Sequence, residues 1–273
     1  MKSMAIWLVA VVVVCLDLST AHAEEQPVNI AMWKRFTLYG GAQFYTADGE
    51  FTNTVEGEDD IAIDMGDLGL DETQATPVAG AIAHFWSRRL TLRFDYFGYH
   101  DDANATADFE FDWDGETIPV DAALDSNLDL DIYALNLSYN FIRSDRARLG
   151  AGLGIHLADV DIGVSGSVSG VVVASGDADV LAPLPNIYLT GAYAFTDNIL
   201  TRASVGGFSL KYGDWDGRLF FVNAFLEYWP WEHVGIGAGY RYVDAHVEYD
   251  PGHKIEEYDF TLPGLMLYMA VGF

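Results

Sequence analysis

Cysteine is all but missing from this chain. Its one thiol, Cys15, sits inside an apolar run at residues 5–16, so no disulfide can staple the remainder. The preceding residue is Val14, where a lipoprotein cleavage site needs a small side chain. A secreted protein without disulfides needs another source of stability. Cations are scarce as well: 14 Lys plus Arg stand against 41 Asp plus Glu, a net charge of −27. Phosphate backbones are gripped by cations, so this balance argues against nucleic acid as a partner. After the first run, no segment holds the roughly 18 consecutive apolar residues of a membrane-spanning helix. A spanning β-strand needs only about ten residues, every second one apolar, so a membrane protein is not excluded.

What is present begins with an address. Lys2, the apolar run 5–16 and Ala21-His22-Ala23 form the pattern of a secretory signal peptide with an A-x-A cleavage site. Residues 1–23 are expected to be removed, leaving 24–273 as one domain of 250 residues. Period-two alternation then marks ten segments, at 35–46, 75–86, 90–100, 128–142, 148–157, 184–195, 199–212, 218–229, 234–243 and 258–273. Short connections (87–89, 143–147, 196–198, 230–233) alternate with long ones at 47–74, 101–127 and 158–183 and a medium one at 244–257. The exception is 213–217, a short connection on the long side, whose Asp-Gly reads as a tight hairpin turn. The prediction is an all-β fold: a closed antiparallel transmembrane β-barrel of about ten strands, with short periplasmic turns and long acidic extracellular loops. Eight strands with one extra surface hairpin is the competing count.

The alternation is plainest at the end of the chain. Leu265, Leu267, Met269, Val271 and Phe273 share one face, and Gly264, Tyr268, Ala270 and Gly272 the other. The first set suits lipid and the second a narrow interior. Val234, Ile236, Ala238, Tyr240 and Tyr242 are likewise predicted to face out, with Gly235, Gly237, Gly239 and Arg241 facing in. In a soluble sandwich the second face would be generally polar; here it is mainly small.

The closing Leu-Tyr-Met-Ala-Val-Gly-Phe, residues 267–273, resembles the C-terminal signature of bacterial outer-membrane β-barrels. The segment 184–242, with Gly-rich strands and Tyr and Trp near the turns, also looks like the small barrels of that class. The resemblance implies a Gram-negative outer membrane, contact with its lipid and lipopolysaccharide, and recognition of Phe273 by the barrel-assembly machinery. It implies location and fold, not an activity.

Candidate chemistry lies in two places. The stretches 47–74 and 101–127 are dense in Asp and Glu and hold no Lys or Arg, whereas Arg88, Arg89, Arg143, Arg146 and Arg148 fall at the predicted periplasmic turns. Carboxylates in such density suit Ca²⁺ or Mg²⁺, which prefer oxygen ligands and bridge to lipopolysaccharide phosphates; a solvated, repulsive surface explains them as well. Glu110, Asp112, Asp114 and Asp121, with Gly115 at the turn, have the spacing of a calcium loop. A β-hairpin turning at Asp114-Gly115 explains the same residues, since Phe109, Phe111 and Trp113 alternate with the acids. Inside the barrel, Arg93, Asp95, Arg202, Glu227 and Arg241 share the inward face, with His156 as a further candidate. Charges facing lipid are costly, so these are read as an ionic plug or as a pore lining. Trp86, Tyr96, Tyr139, Trp229 and Trp231 read as interfacial girdles.

An enzyme is the remaining class. His100-Asp101-Asp102 and Asp244-Ala245-His246 are superficially similar to the rim residues of outer-membrane proteases of the omptin type. Parity turns His100, Asp244 and His246 outward, away from a cleft, and no other catalytic motif is present. The expected role is therefore non-enzymatic: envelope structure or surface interaction, with no cofactor beyond divalent ions on the loops. A narrow cation-selective channel and a rim hydrolase acting on peptide or lipid A are the alternatives.

Overall fold

A computed structural model describes residues 30–46, 48–55, 61–70, 73–108, 110–113, 116–213, 215–249 and 254–273. The expected signal peptide 1–23, with Cys15, and the loop acid Asp114 lie outside these residues. The chain enters through a 3-10 turn, Ile30–Trp33, and continues as strands β1 (Phe36–Thr46), β2 (Asp48–Val55), β3 (Ile61–Asp64), β4 (Thr73–Phe85) and β5 (Leu90–Thr106). Two short strands follow, β6 (Phe111–Trp113) and β7 (Glu116–Ile118), then β8 (Ala123–Arg143), β9 (Ala147–Val168) and β10 (Val171–Ala194). The last four are β11 (Ile199–Tyr212), β12 (Trp215–Tyr228), β13 (Val234–Tyr249) and β14 (Lys254–Gly272).

All pairings are antiparallel. Ten strands follow one another in the order β1-β4-β5-β8-β9-β10-β11-β12-β13-β14, and β1 pairs in turn with β14, from Thr37 opposite Gly272 to Tyr45 opposite Gly264. The hydrogen-bonded circuit returns on itself, which removes the sheet edges that attract other chains. β2 continues the β1 register along β14, with Asp48 opposite Thr261, and β3 pairs onto β2. β6 and β7 form a separate hairpin, with Phe111 opposite Ile118.

Each of the ten segments read from the sequence overlaps one ring strand, but the strands run further outward than expected. The stretch 158–183 is not a loop: β9 and β10 pair through it to a two-residue turn at Ser169-Gly170, where φ is 55° and 78°. Both residues are left-handed, as a tight hairpin matched to the strand twist requires. The stretch 47–74 contains β2 and β3, and 101–127 contains the end of β5, the β6–β7 hairpin and the start of β8.

The cause is a reversal of face polarity along each long strand. On the lower part of β8, Leu135, Leu137 and Tyr139 point out and are 45–49% exposed, while Asn136, Ser138 and Asn140 point in and are buried. Above Tyr133 the faces exchange: Asp129 is exposed and Asp131 half-buried outside, while Leu128, Leu130 and Ile132 are buried inside. β9 repeats the exchange between Leu157 and Asp159, with His156 buried below and Ala158, Val160 and Ile162 buried above. A strand that is apolar outside and polar inside suits lipid, and the opposite pattern suits water around an apolar core. The lower outward run on β8, residues 133–141, spans about 23 Å at about 3.3 Å per residue and a tilt near 40°, close to the roughly 25 Å band of outer-membrane barrels.

Candidate functional site

The interior is built in two layers. The lower layer is polar and contains all five charged groups expected there. Asp95 takes two bonds from Arg93, Nε at 2.7 Å and Nη2 at 2.8 Å, and one from Arg241 Nη2 at 2.8 Å. The Tyr39 hydroxyl donates to the same carboxylate. Arg241 Nε also donates to Asn223 Oδ1 at 3.0 Å, and its guanidinium lies 4.0 Å from the centre of the Phe97 ring. Glu227 forms a second node. It accepts from Arg202 Nε at 2.8 Å, the Tyr268 hydroxyl at 3.0 Å and Trp229 Nε1 at 2.9 Å.

Two placements differ from the sequence reading. Trp229 is buried and completes the Glu227 node, so it is not part of an outer girdle; Trp86, Tyr139 and Trp231 are exposed as a girdle would be. Arg148 is buried inside, bonded to His84 beneath Trp33, rather than exposed at a turn. Its even position on β9 puts it on the inward face, a parity the turn assignment overlooked. Four guanidinium groups (Arg93, Arg148, Arg202, Arg241) thus face two carboxylates (Asp95, Glu227), an excess of two positive charges. A pore cut through this layer would repel cations, whereas the acidic loops expected at its mouth would attract them.

Free space in the polar layer is small. The cavity among Arg93, Asp95, Asn136, Arg202 and Arg241 measures about 30 Å³, room for one or two waters. Arg202 Nη1, Arg241 Nη1 and Asn136 Oδ1 are buried there without a protein partner, so bound water is their natural complement. The upper layer is apolar. Leu130, Val160, Leu184, Leu219, Val243 and Phe260 surround a second cavity of about 40 Å³, stacked on the first through His156 and Val243. The stretches read as loops add to the buried apolar core: Met65, Leu68, Leu70 and Ile118 are fully buried.

The outer surface holds the other candidates. In the proposed calcium loop, Asp112 lies on β6 and Glu110 just before it, and Asp121 occupies a left-handed turn with φ 64°. The segment is a β-hairpin rather than a helix-flanked loop. Among the described residues, the grouping with metal-ligand spacing is a different one: His246, Glu257 and Asp259, whose ligand atoms all lie within 4.8 Å of one another. His246 Nδ1 is 3.0 Å from Asp259 Oδ1 and 3.6 Å from Glu257 Oε1. Ligands about 2.1 Å from a tetrahedral ion stand about 3.4 Å apart, close to the two separations from His246. Burial and the nearby Asp259 and Glu248 carboxylates raise the Glu257 pKa. The grouping escaped the sequence reading because its members come from separate strands; the register that sets His246 opposite Asp259 unites them. Both histidines of the protease-like motifs are on the outer face: His100 Nε2 is 3.3 Å from Asp131, and His246 belongs to this triad.

No protein-family model matches the chain, and no curated protein matches it. Solved structures do. The outer membrane protease OmpT from Escherichia coli aligns with a TM-score of 0.50 at 12% identity, covering 87% of this chain and 97% of that one. The translocator domain of autotransporter NalP from Neisseria meningitidis aligns at 0.44 and 11% identity, covering 100% of this chain and 97% of its own. The outer membrane protein OprG from Pseudomonas aeruginosa aligns at 0.40 and 9% identity, covering 87% and 95%. The likeness to the first is one of fold alone: an all-β antiparallel sheet of the outer-membrane barrel type.

Proposed function

We propose that this chain is an integral outer-membrane β-barrel whose interior is closed in its resting form and whose working surface is the acidic wall projecting outside the membrane. The observation that carries the reading is the exchange of face polarity at Tyr133 and Asp131 on β8, repeated at Leu157 and Asp159 on β9. In this reading the part below is a lipid-facing band and the part above a water-facing sheet with its own apolar core. The cations support the same orientation. Lys34, Arg35, Arg88, Arg89, Arg143 and Arg146 gather at the short-turn end, where Phe273 closes the chain. Phe273 is exposed there, stacked on His233 with ring centres 5.5 Å apart, and is the assembly signal in this reading.

The outer carboxylates are proposed to hold divalent cations and, through them, lipopolysaccharide phosphates. His246, Glu257 and Asp259 are the best-formed set, with Glu110, Asp112, Asp114 and Asp121 as the second. The test is calorimetric titration of the folded protein with Zn²⁺ and Ca²⁺. Binding of Zn²⁺ that disappears in His246→Ala supports the triad; Ca²⁺ binding that disappears in Asp112→Asn supports the hairpin set. No saturable binding of either ion leaves the acids as a solvated surface.

A channel-like role is the second reading, favoured by the two cavities stacked along the barrel axis. It requires the Asp95 and Glu227 nodes to part. The positive excess of that layer then predicts anion preference at the constriction, even though the outer wall attracts cations.

A further inference from the structure

The barrel wall has a seam. The β10–β11 ladder runs from Ala194 opposite Leu200 only to Ile187 opposite Gly207. β10 continues outward on β9 as far as Val171, and β11 continues on β12 as far as Tyr212 opposite Trp215. Among the described residues, no ladder or side-chain hydrogen bond joins 181–186 of β10 to 208–211 of β11. The sequence accounts for the break. Pro183 and Pro185 lie at alternate positions just above the last pair, and neither has an N–H to give. The wall is also interrupted between β4 and β5 above Tyr96, but there it is sutured: Thr76 donates to the Gly98 carbonyl at 2.7 Å and Gln74 to Asp101 at 2.6 Å. The β10–β11 break has no such stitches.

The seam joins lipid to the apolar layer. Pro183 is opposite Leu157, the top of the lipid-facing run on β9, so the break starts in the outer part of the band and continues above it to Leu181, opposite Asp159. Its lips are apolar. Leu181 is 64% exposed on one side. On the other, Phe208 and Leu210 lie on the inward face, opposite Leu219 and Gly217, yet are 38% and 47% exposed. Inward side chains reach that exposure only where the neighbouring strand has withdrawn. Behind the lips is the chamber of Leu130, Val160, Leu184, Leu219, Val243 and Phe260. Leu184 is the side chain across the entrance. Its Cδ2 stands 3.6 Å from where a Cβ of Gly217 would be, so bare backbone on β12 leaves it room to swing.

We infer that the seam is a lateral port through which the terminal few carbons of one hydrocarbon chain of an outer-leaflet lipid reach the upper chamber, whose volume of about 40 Å³ is enlarged when Leu184, the gate, swings aside. A chain needs no polar partner, which matches the absence of exposed polar area in the chamber. Its source is the bilayer, because the break begins above Ile187, below the Pro183–Leu157 pair that tops the lipid-facing run. The inference rests on the membrane placement proposed above. That placement fails separately, as absence of labelling at the outward residues Leu265 and Leu267.

The test is photolabelling of the folded mature protein in phosphatidylcholine vesicles whose acyl chains end in a diazirine, followed by peptide mapping. The expected result is labelling of Leu184, Leu219 or Phe260 in addition to Leu265 and Leu267. Labelling confined to the outward residues overturns the port. The variant Pro185→Cys/Ser209→Cys bridges the lips two residues beyond the last pair, where the continued register sets 185 opposite 209. Its oxidised form is expected to lose interior labelling and to regain it on reduction, with Leu265 and Leu267 labelled throughout. Gly217→Phe fills the seam from β12 without touching the prolines and should lose interior labelling in the same way. Interior labelling that persists in either sealed form overturns the route. Interior labelling by a diazirine fatty acid added from water, but not by the phospholipid, overturns the lipid as its source.

Discussion

The Asp95 node gives the most demanding quantitative prediction. Asp95→Asn keeps the size of the side chain and removes its charge. The wild-type carboxylate accepts three guanidinium bonds, two from Arg93 and one from Arg241, together with the Tyr39 hydroxyl. The variant leaves the buried Arg241 and the half-buried Arg93 around a neutral amide and raises the positive excess of the layer from two to three. Removing one partner of a buried ion pair costs about 3–5 kcal/mol. The amide carbonyl still accepts one bond and the adjoining cavity admits water, so the lower end, about 3 kcal/mol, is expected. Urea unfolding from vesicles, followed by tryptophan fluorescence, measures it as a fall in midpoint at unchanged slope. Asp129→Asn, on the outer face of β8, is the control and should stay within about 0.5 kcal/mol of wild type. A cycle with Arg241→Gln should give a coupling of about 0.5–3 kcal/mol. An Asp95→Asn midpoint equal to that of the control would refute the ionic core as a structural element.

Further outcomes follow from the same structure. Trp229→Phe removes the donor 2.9 Å from Glu227 Oε2 and should cost about 1.5–3 kcal/mol in the same unfolding assay, whereas a girdle tryptophan such as Trp231 should tolerate the change. Because its neighbours raise the Glu257 pKa, Glu257 binds its proton more tightly folded than unfolded. Its contribution to stability is therefore full below the ordinary carboxylate range and lost as pH rises through the raised value. Protection of the outer ends of β13 and β14, measured as exchange relative to the intrinsic rate at each pH, should rise on acidification from neutral pH, and Glu257→Gln should reduce that rise. Deletion of Phe273 should lower the yield of heat-modifiable barrel in the outer membrane while leaving refolding into vesicles intact; equal yields in cells would show that the terminal aromatic is not the assembly signal.

The sequence was legible where one polarity rule holds. In 265–273 and 234–243 apolar residues alternate with small ones, and there the expected faces and strand positions match the structure. It was misread where the rule inverts. The Asp129, Asp131 and Leu128, Leu130, Ile132 run alternates as cleanly as any and lies within the expected strand 128–142, but its apolar members face inward, where one polarity rule for the whole strand would turn them to lipid. The hairpin around Ser169-Gly170 follows the inverted rule as well, with Ala158, Val160 and Ile162 inside and Asp159 and Asp161 outside. Inward charges such as Arg93 and Asp95 could be assigned from parity; that they and Arg241 meet at one carboxylate depends on strand pairing across the barrel, which local pattern does not encode. The triad of His246, Glu257 and Asp259 and the β10–β11 seam are likewise products of register. Pro183 and Pro185 were the visible sign of the seam, two missing donors at alternate positions of one strand.

The most direct test of the closed, two-layered barrel is single-channel recording of the refolded mature protein in a planar bilayer, with folding confirmed by heat-dependent gel mobility. The account predicts an electrically silent membrane, because the Asp95 and Glu227 nodes and the apolar layer above them leave only water-sized cavities. Steady, reproducible openings from the folded protein would contradict it and make the channel reading the correct one.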